Sequence, residues 1–345
     1  MEQPLFQYNK VIKNSVDFNY NEDQTENPLV ICYGIDKNFI YGCAISISSI
    51  LLNNQSAPLK FHVFSDTYSK RDEVYFDRLA KQYSSNIVLH LVDCEQLKLL
   101  PNTKNWSYAT YFRFVIADYF SGKHEKILYL DADIACQGSI QELINYEFTN
   151  EEAAGVVLER SEEWWTARAQ QLDTPSLSEG YFNAGFLLIN IPWWEKNKIT
   201  RRAIKMLSEP SIIRKITHLD QDVLNILLVG NVRIFDRKFN TQYSINYELN
   251  HKHHNNIDED TIFIHYIGPT KPWHNWSQYP VSKAFMRAKE HSPWKDTPLL
   301  EPENSNQFRY CAKHNFKQGM LLSAVKNYCK YFLSKIFKKS QFLLR

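Results

Sequence analysis

The sequence predicts an α/β fold: a mixed, mainly parallel sheet with helices on both faces, extended at its C-terminal end by a helical segment. Three observations carry this reading. From Leu29 onward, short β-rich runs alternate with segments of helix length, the pattern of strands joined by crossover helices. Several of the runs are apolar throughout, as strands covered on both faces are. A composition of 44% hydrophobic and 23% charged residues over 345 positions supplies a full core and excludes wholesale disorder.

Taken in order, the first 28 residues are polar, end at Asn27-Pro28 and read as a loose N-terminal extension. LVICY (Leu29–Tyr33) is a buried-type strand, and YGCAISISSILL carries a helix-like apolar face. KFHVF predicts a second strand, a charged amphipathic helix follows around Ser69–Tyr83, and NIVLHLV is a third strand. A helix is expected around Tyr108–Tyr119, then a fourth strand at KILYL. Later strands are expected at AAGVVL, GFLLIN, VRIF and TIFIHY, with helices near Glu195–Leu207 and Leu219–Leu228. Residues 29–280 thus form one α/β domain, and 281–345 a C-terminal extension. Such a sheet binds its ligand beyond the carboxyl ends of its strands. Neither GxGxxG nor GxxxxGK[ST] occurs, so phosphates, if held, need another device.

Charge is unevenly spread. After Glu303 there is no acidic residue, while nine Lys and Arg residues occur there; the rest of the chain holds 31 basic against 38 acidic residues, a net of −7. A net acidic body is a poor general nucleic-acid binder, and no nucleic-acid partner is expected. In the tail, Leu321, Val325, Tyr328, Phe332 and Ile336 fall on one helical face with lysines around it. That pattern suits a helix lying on an anionic leaflet. The six cysteines include no CxxC pair, the N-terminus has no apolar signal core, and no run is long enough to span a bilayer. A reducing, cytoplasmic location is expected. His251, His253 and His254 lack the spacing and cysteines of a zinc site and read as a solvated loop.

Two constellations carry chemistry. Asp131-Ala132-Asp133 directly follows KILYL; on an extended chain, residues i and i+2 point to the same side, so the carboxylates converge at the ligand crevice. Two close carboxylates repel unless a cation lies between them, and hard oxygen ligands suit Mg²⁺ or Mn²⁺. The second is His265-Tyr266-Ile267-Gly268-Pro269-Thr270-Lys271-Pro272-Trp273. His265 adds a nitrogen ligand, which shifts preference toward Mn²⁺. Gly268 permits close backbone approach to an oxyanion, and Lys271 supplies a point charge for phosphate.

Together ICYGIDKN, the strand-DAD, ATYFRF, FNAGFLLIN, LDQDVLN and HYIGPTKPW resemble glycosyltransferase family 8, in its branch of bacterial lipopolysaccharide-core glucosyl- and galactosyltransferases. The resemblance spans about Leu29 to Trp276 and extends to the basic tail. It implies a GT-A fold, a UDP-hexose donor, Mn²⁺ or Mg²⁺ on Asp131, Asp133 and His265, retention of anomeric configuration, and a lipopolysaccharide-core acceptor at the cytoplasmic face of the inner membrane. By the same resemblance, Asp36 and Asn38 meet the uridine half. Arg113 reaches the donor sugar and phosphates. Asn183, Ala184 and Gly185 line the sugar, and Asp220 and Gln221 present polar groups to it. Gln221 is a poor nucleophile, which favours front-side attack over double displacement. A metal-dependent nucleotide-diphospho-sugar hydrolase and a non-catalytic sugar-nucleotide or glycan-binding protein would use some of the same groups.

Overall fold

The structure is a computed structural model describing residues 11–21, 27–98, 100–101, 107–250 and 255–343, with side chains up to residue 336. The large sheet has eight strands: β1 (Ile12–Asn19), β2 (Leu29–Ile35), β3 (Leu59–Ser65), β4 (Asn86–Val92), β5 (Lys126–Leu130), β7 (Ala154–Leu158), β8 (Phe182–Asn190) and β9 (Val232–Ile234). Their order is β1-β4-β3-β2-β5-β8-β7-β9. Strands β4, β3, β2 and β5 run parallel, as do β7 and β9, whereas β8 is antiparallel to both neighbours and β1 to β4. A small sheet joins β6 (Ile134–Cys136), β10 (Thr241–Gln242) and β11 (Phe263–His265) in the order β10-β11-β6.

Successive strand residues face opposite sides. Along β2, Val30 and Cys32 enter one apolar cluster while Leu29, Ile31 and Tyr33 enter the other. Both faces are therefore buried, which explains why LVICY is apolar throughout. The helices α1 (Ile40–Asn53) and α2 (Lys70–Gln82) cover the second face, and α3 (Phe112–Phe120) covers the first. Further along lie α4 (Glu162–Gln171), α5 (Ile199–Ser208) and α6 (Leu219–Leu228), then α7 (Lys283–Glu290), α8 (Ser305–Lys317) and α9 (Leu321–Leu343).

The structure departs from the sequence reading in several places. Residues 12–19 are not loose; they form β1, an edge strand on β4, in which Ser15 Oγ lies 2.7 Å from His90 Nδ1. The helix expected around Tyr108–Tyr119 begins as a 3₁₀ turn over Tyr108–Tyr111. The one expected near Glu195–Leu207 is two, parted at Lys198, whose φ is +54°. Gly319, at φ +79°, parts α8 from α9. Only a backbone without a Cβ adopts that angle at little cost. On α9, Leu321, Val325, Phe332 and Ile336 of that face are exposed, whereas Tyr328 is half-buried; Leu322 and Leu333 are exposed too, and Ala324 and Asn327 are buried. The three histidines of 251–254 lie outside the described residues. Among the described residues no helix is long and apolar enough to cross a membrane.

Two antiparallel pairings position the site. Because β5 and β8 run oppositely, Leu130 at the end of β5 pairs with Phe186, and the Asp131 N–H donates to the Gly185 carbonyl at 2.8 Å. The start of β8 therefore lies beside the first aspartate. Because β11 opposes β6, His265 pairs with Ile134, one residue after Asp133.

Candidate active site

A cleft of about 1560 Å³ opens where these strands end. Asp131-Ala132-Asp133 crosses it as a turn, with the Ile134 N–H donating to the Asp131 carbonyl at 3.3 Å, rather than as the extended segment the i, i+2 argument assumed. The carboxylates converge nonetheless. Asp131, Asp133 and His265 each bring one ligating atom to within 4.8 Å of the others. His265 Nε2 lies 3.2 Å from Asp133 Oδ1 and 3.9 Å from Asp131 Oδ2. The cradle tolerates no side chain at Gly185: a Cβ there would sit 2.5 Å from His265 Cε1 and 2.7 Å from Asp131 Oδ2. Two carboxylates, one imidazole and a kept-clear space fit a divalent cation.

The charges are balanced locally. Lys271 Nζ lies 2.5 Å from Asp133 Oδ2 and donates to the Tyr266 carbonyl at 2.8 Å. Burial works against ionising Asp133, but the Lys271 ammonium and the His265 ring outweigh it and hold the carboxyl well below its usual range. Burial likewise disfavours a charged His265, and the Asp133 carboxylate reverses this, raising its proton affinity. Arg113, nearly buried, bridges Asp220 at 2.9 Å and Asp131 at 3.3 Å, donates to the Ala184 carbonyl at 2.7 Å and lies over the Tyr129 ring.

Of the residues singled out in the sequence, Asp36, Asn38, Arg113, Asp131, Asp133, Asn183, Gly185, Asp220, Gln221, His265, Gly268 and Lys271 all line this cleft. Ala184 does not; its side chain joins the apolar cluster beneath, and only its backbone serves the site, accepting from Arg113 and donating to Gln221 Oε1 at 3.0 Å. Asp36 folds back to accept the Asn38 N–H at 2.8 Å. Asp220 is buried, and that burial raises its pKa against the pull of Arg113; it also accepts from Thr110 at 2.8 Å. Asp222, two residues on, is wholly structural: it takes Arg168, Tyr181 and the N–H groups of Thr217 and His218 at the start of α6.

Two residues escaped the sequence reading. Glu159, at the end of β7, accepts from Asn183 at 2.8 Å and from Gln221 at 3.2 Å. Asn240, just before β10, joins His265 to Asn183. Neither belongs to a recognisable motif; Glu159 could have been flagged as an acid ending an apolar strand, at the crevice side.

Comparison with known proteins agrees with this geometry. Residues 30–277 match the family model described as glycosyl transferase family 8, and residues 279–335 match its C-terminal companion. The chain belongs to glycosyltransferase family 8. It is 54% identical over 329 residues to the lipopolysaccharide 1,3-galactosyltransferase of Salmonella typhimurium, covering 95% of this chain and 98% of that one. It is 51% identical over 337 residues to the lipopolysaccharide glucosyltransferase WaaO of Escherichia coli K12, covering 97% and 99%. Among solved structures, the galactosyltransferase LgtC with donor and acceptor sugar analogs superposes with a TM-score of 0.66, at 23% identity, over 76% of this family 8 chain and 96% of LgtC. The expected GT-A architecture is thereby met.

Proposed function

We propose that this family 8 enzyme transfers glucose or galactose from the UDP-sugar to a lipopolysaccharide core, with retention, giving an α-glycosidic bond. The observation that carries the reading is Asp131, Asp133 and His265 converging in a cleft beside the small-residue start of β8. Full-length similarity to two lipopolysaccharide hexosyltransferases supports it.

Asp131, Asp133 and His265 would hold the divalent cation, which would supply positive charge to offset that of the departing UDP. Asp36 and Asn38 receive the uridine half. Gly268 has φ +84°, so its loop turns where a side chain would be strained, and Lys271 stands beside it as a second cation for the phosphates. Asn183, Gly185 and Gln221 line the hexose, while Arg113 fixes the floor beneath it by its contacts with Asp131, Asp220 and Ala184.

The same contacts bear on mechanism. Double displacement needs a free carboxylate at the anomeric carbon. Gln221 is an amide whose oxygen already accepts the Ala184 N–H; Asp220 is buried against Arg113; Glu159 is engaged by Asn183 and Gln221. Front-side attack, steered by the leaving phosphate, makes no such demand. The α9 face places Leu322, Val325, Phe332 and Ile336 in solvent beside Lys326, Lys330 and Lys335. It suits an anionic membrane surface, on the side where a lipid-linked acceptor is presented.

The test offers purified protein UDP-glucose and UDP-galactose with truncated lipopolysaccharide and Mn²⁺, and identifies the product by mass and NMR. One α-linked hexose per acceptor is expected, abolished by EDTA. Donor hydrolysis at the same rate without acceptor, or a β-linked product, would overturn the reading.

A further inference from the structure

The side-chain amides beside the cation site settle one another's orientation, and the chain of contacts starts at a group that cannot turn. The Gly185 N–H belongs to β8 and donates to Asn183 Oδ1 at 3.0 Å. Asn183 must therefore direct its NH₂ the other way, where Glu159 Oε2 accepts at 2.8 Å. Asn183 Oδ1 also lies 3.1 Å from the Asn240 amide. Two amide oxygens would repel there, so the Asn240 atom facing it is Nδ2, a donor. The opposite end of Asn240 is then its oxygen, 3.0 Å from His265 Nδ1. An amide oxygen only accepts, so His265 carries its proton on Nδ1. Its other nitrogen, Nε2, faces Asp133 at 3.2 Å and Asp131 at 3.9 Å, the side from which a cation would take its lone pair. Asn240, His265 and Asn183 are 1%, 3% and 8% exposed, so bulk solvent scarcely reaches these groups.

We propose that Asn240 is a positioning residue for the cation site, fixing His265 as the Nδ1–H tautomer with its ring held toward the two aspartates. It rests on the reading of Asp131, Asp133 and His265 as cation ligands. Asn240 touches neither cation nor substrate; it acts through the histidine, as partners behind a metal-bound imidazole do. The same chain continues through Asn183 and Glu159 to Gln221, so the metal ligand and the sugar-facing amide share one hydrogen-bonded frame.

Two measurements test it. In protein with ¹⁵N-labelled histidine, loaded with Mg²⁺ and UDP, the long-range ¹H–¹⁵N spectrum should show His265 protonated on Nδ1, the signal being assigned by its loss in His265→Gln. Mn²⁺ binding in the presence of UDP, read by EPR of the free ion, should weaken about 10- to 100-fold in Asn240→Leu, the range for losing such a partner. Asn240→Asp keeps an acceptor for the Nδ1 proton and should bind Mn²⁺ more tightly than Asn240→Leu; a site role of mere packing predicts the reverse, since Leu is the better buried filler. An Nε2–H tautomer in the parent protein overturns the proposal, as does parent-like Mn²⁺ affinity in a folded Asn240→Leu. Should that variant not fold, the parent tautomer alone decides. Parent protein that binds no Mn²⁺ defeats the cation reading itself, a failure distinct from the wrong tautomer.

Discussion

Gly185→Ala places one methyl group in the cation cradle. The added Cβ would lie 2.5 Å from His265 Cε1, 2.7 Å from Asp131 Oδ2 and 2.9 Å from Asn183 Oδ1. Carbon atoms rest at about 3.5–4.0 Å, so something must give by roughly 1 Å. None of the three neighbours is a loose surface chain: His265 is tied to Asn240, Asp131 to Arg113, and Asn183 to the Gly185 N–H itself. Stability and function should then part company. Alanine is favoured over glycine in a strand by about 0.5–1 kcal/mol, and overpacking costs about 1–3 kcal/mol, so the net loss is about 0–2.5 kcal/mol. Displacing ligands by about 1 Å costs on the order of 10²-fold in turnover. The assays are urea unfolding, Mn²⁺ binding by EPR, and UDP release in the presence of acceptor. Gly155→Ala on β7 is the control, because its Cβ would strike Phe235 at 2.0 Å, in the core rather than at the cation site. It should lose stability and keep Mn²⁺ affinity. A folded Gly185→Ala protein with parent turnover and parent Mn²⁺ affinity would refute the placement of the cation.

Further outcomes are expected. Asp131→Ala, Asp133→Ala and His265→Ala should each lower transfer by roughly 10²-fold or more, the scale for removing a group that stabilises transition-state charge; full activity in excess EDTA would count against all three. Stability should fall in mild acid: burial pushes His90 down to about 3, whereas an unfolded histidine titrates near 6.5. Its contribution is complete above pH 6.5 and is lost as pH drops toward 3, amounting to about 2 kcal/mol by pH 5. Urea midpoints that do not change between pH 7 and 5 would contradict this. Replacing Leu322, Val325, Phe332 and Ile336 together by Ser should remove most binding to anionic vesicles while leaving transfer to a detergent-soluble acceptor; unchanged flotation with the vesicles would dismiss α9 as the membrane contact.

The sheet core and the cluster of Asp131, Asp133 and His265 were legible because each leaves a local mark. A strand buried on both faces is apolar at nearly every position, as β2 is and as β8 is from Phe186 to Ile189, and a DxD after such a strand falls at the crevice by topology. What stayed hidden depends on neighbours distant in sequence. Strand β1 reads IKNSVDFN because an edge strand keeps much of its length in water, and a polar octapeptide looks like a loop. Helix α4, EEWWTARAQQ, has no clear apolar stripe, since its buried residues are Arg168 and Ala169. Asn240 and Glu159 are ordinary residues until β8 brings Asn183 between them, and Ala184 looked like a cavity wall because the pleat that turns it inward is invisible in an FNAG motif.

Asp131 and His265 come from two different sheets. Asp131 follows a strand of the large one and His265 ends a strand of the small one, with the turn at Asp133 and the Asn240 amide to Asn183 Oδ1 bond, 3.1 Å long, crossing between them at this point. A cation held by both, as proposed, would act as a rivet through that seam. By linkage, loading with metal and nucleotide must stabilise the assembled seam by RT ln(1 + [L]/Kd), about 2.7 kcal/mol at a hundredfold excess over Kd. Amide exchange in β6, β10 and β11 should slow most on loading, which would make the small sheet a built-in reporter of donor occupancy.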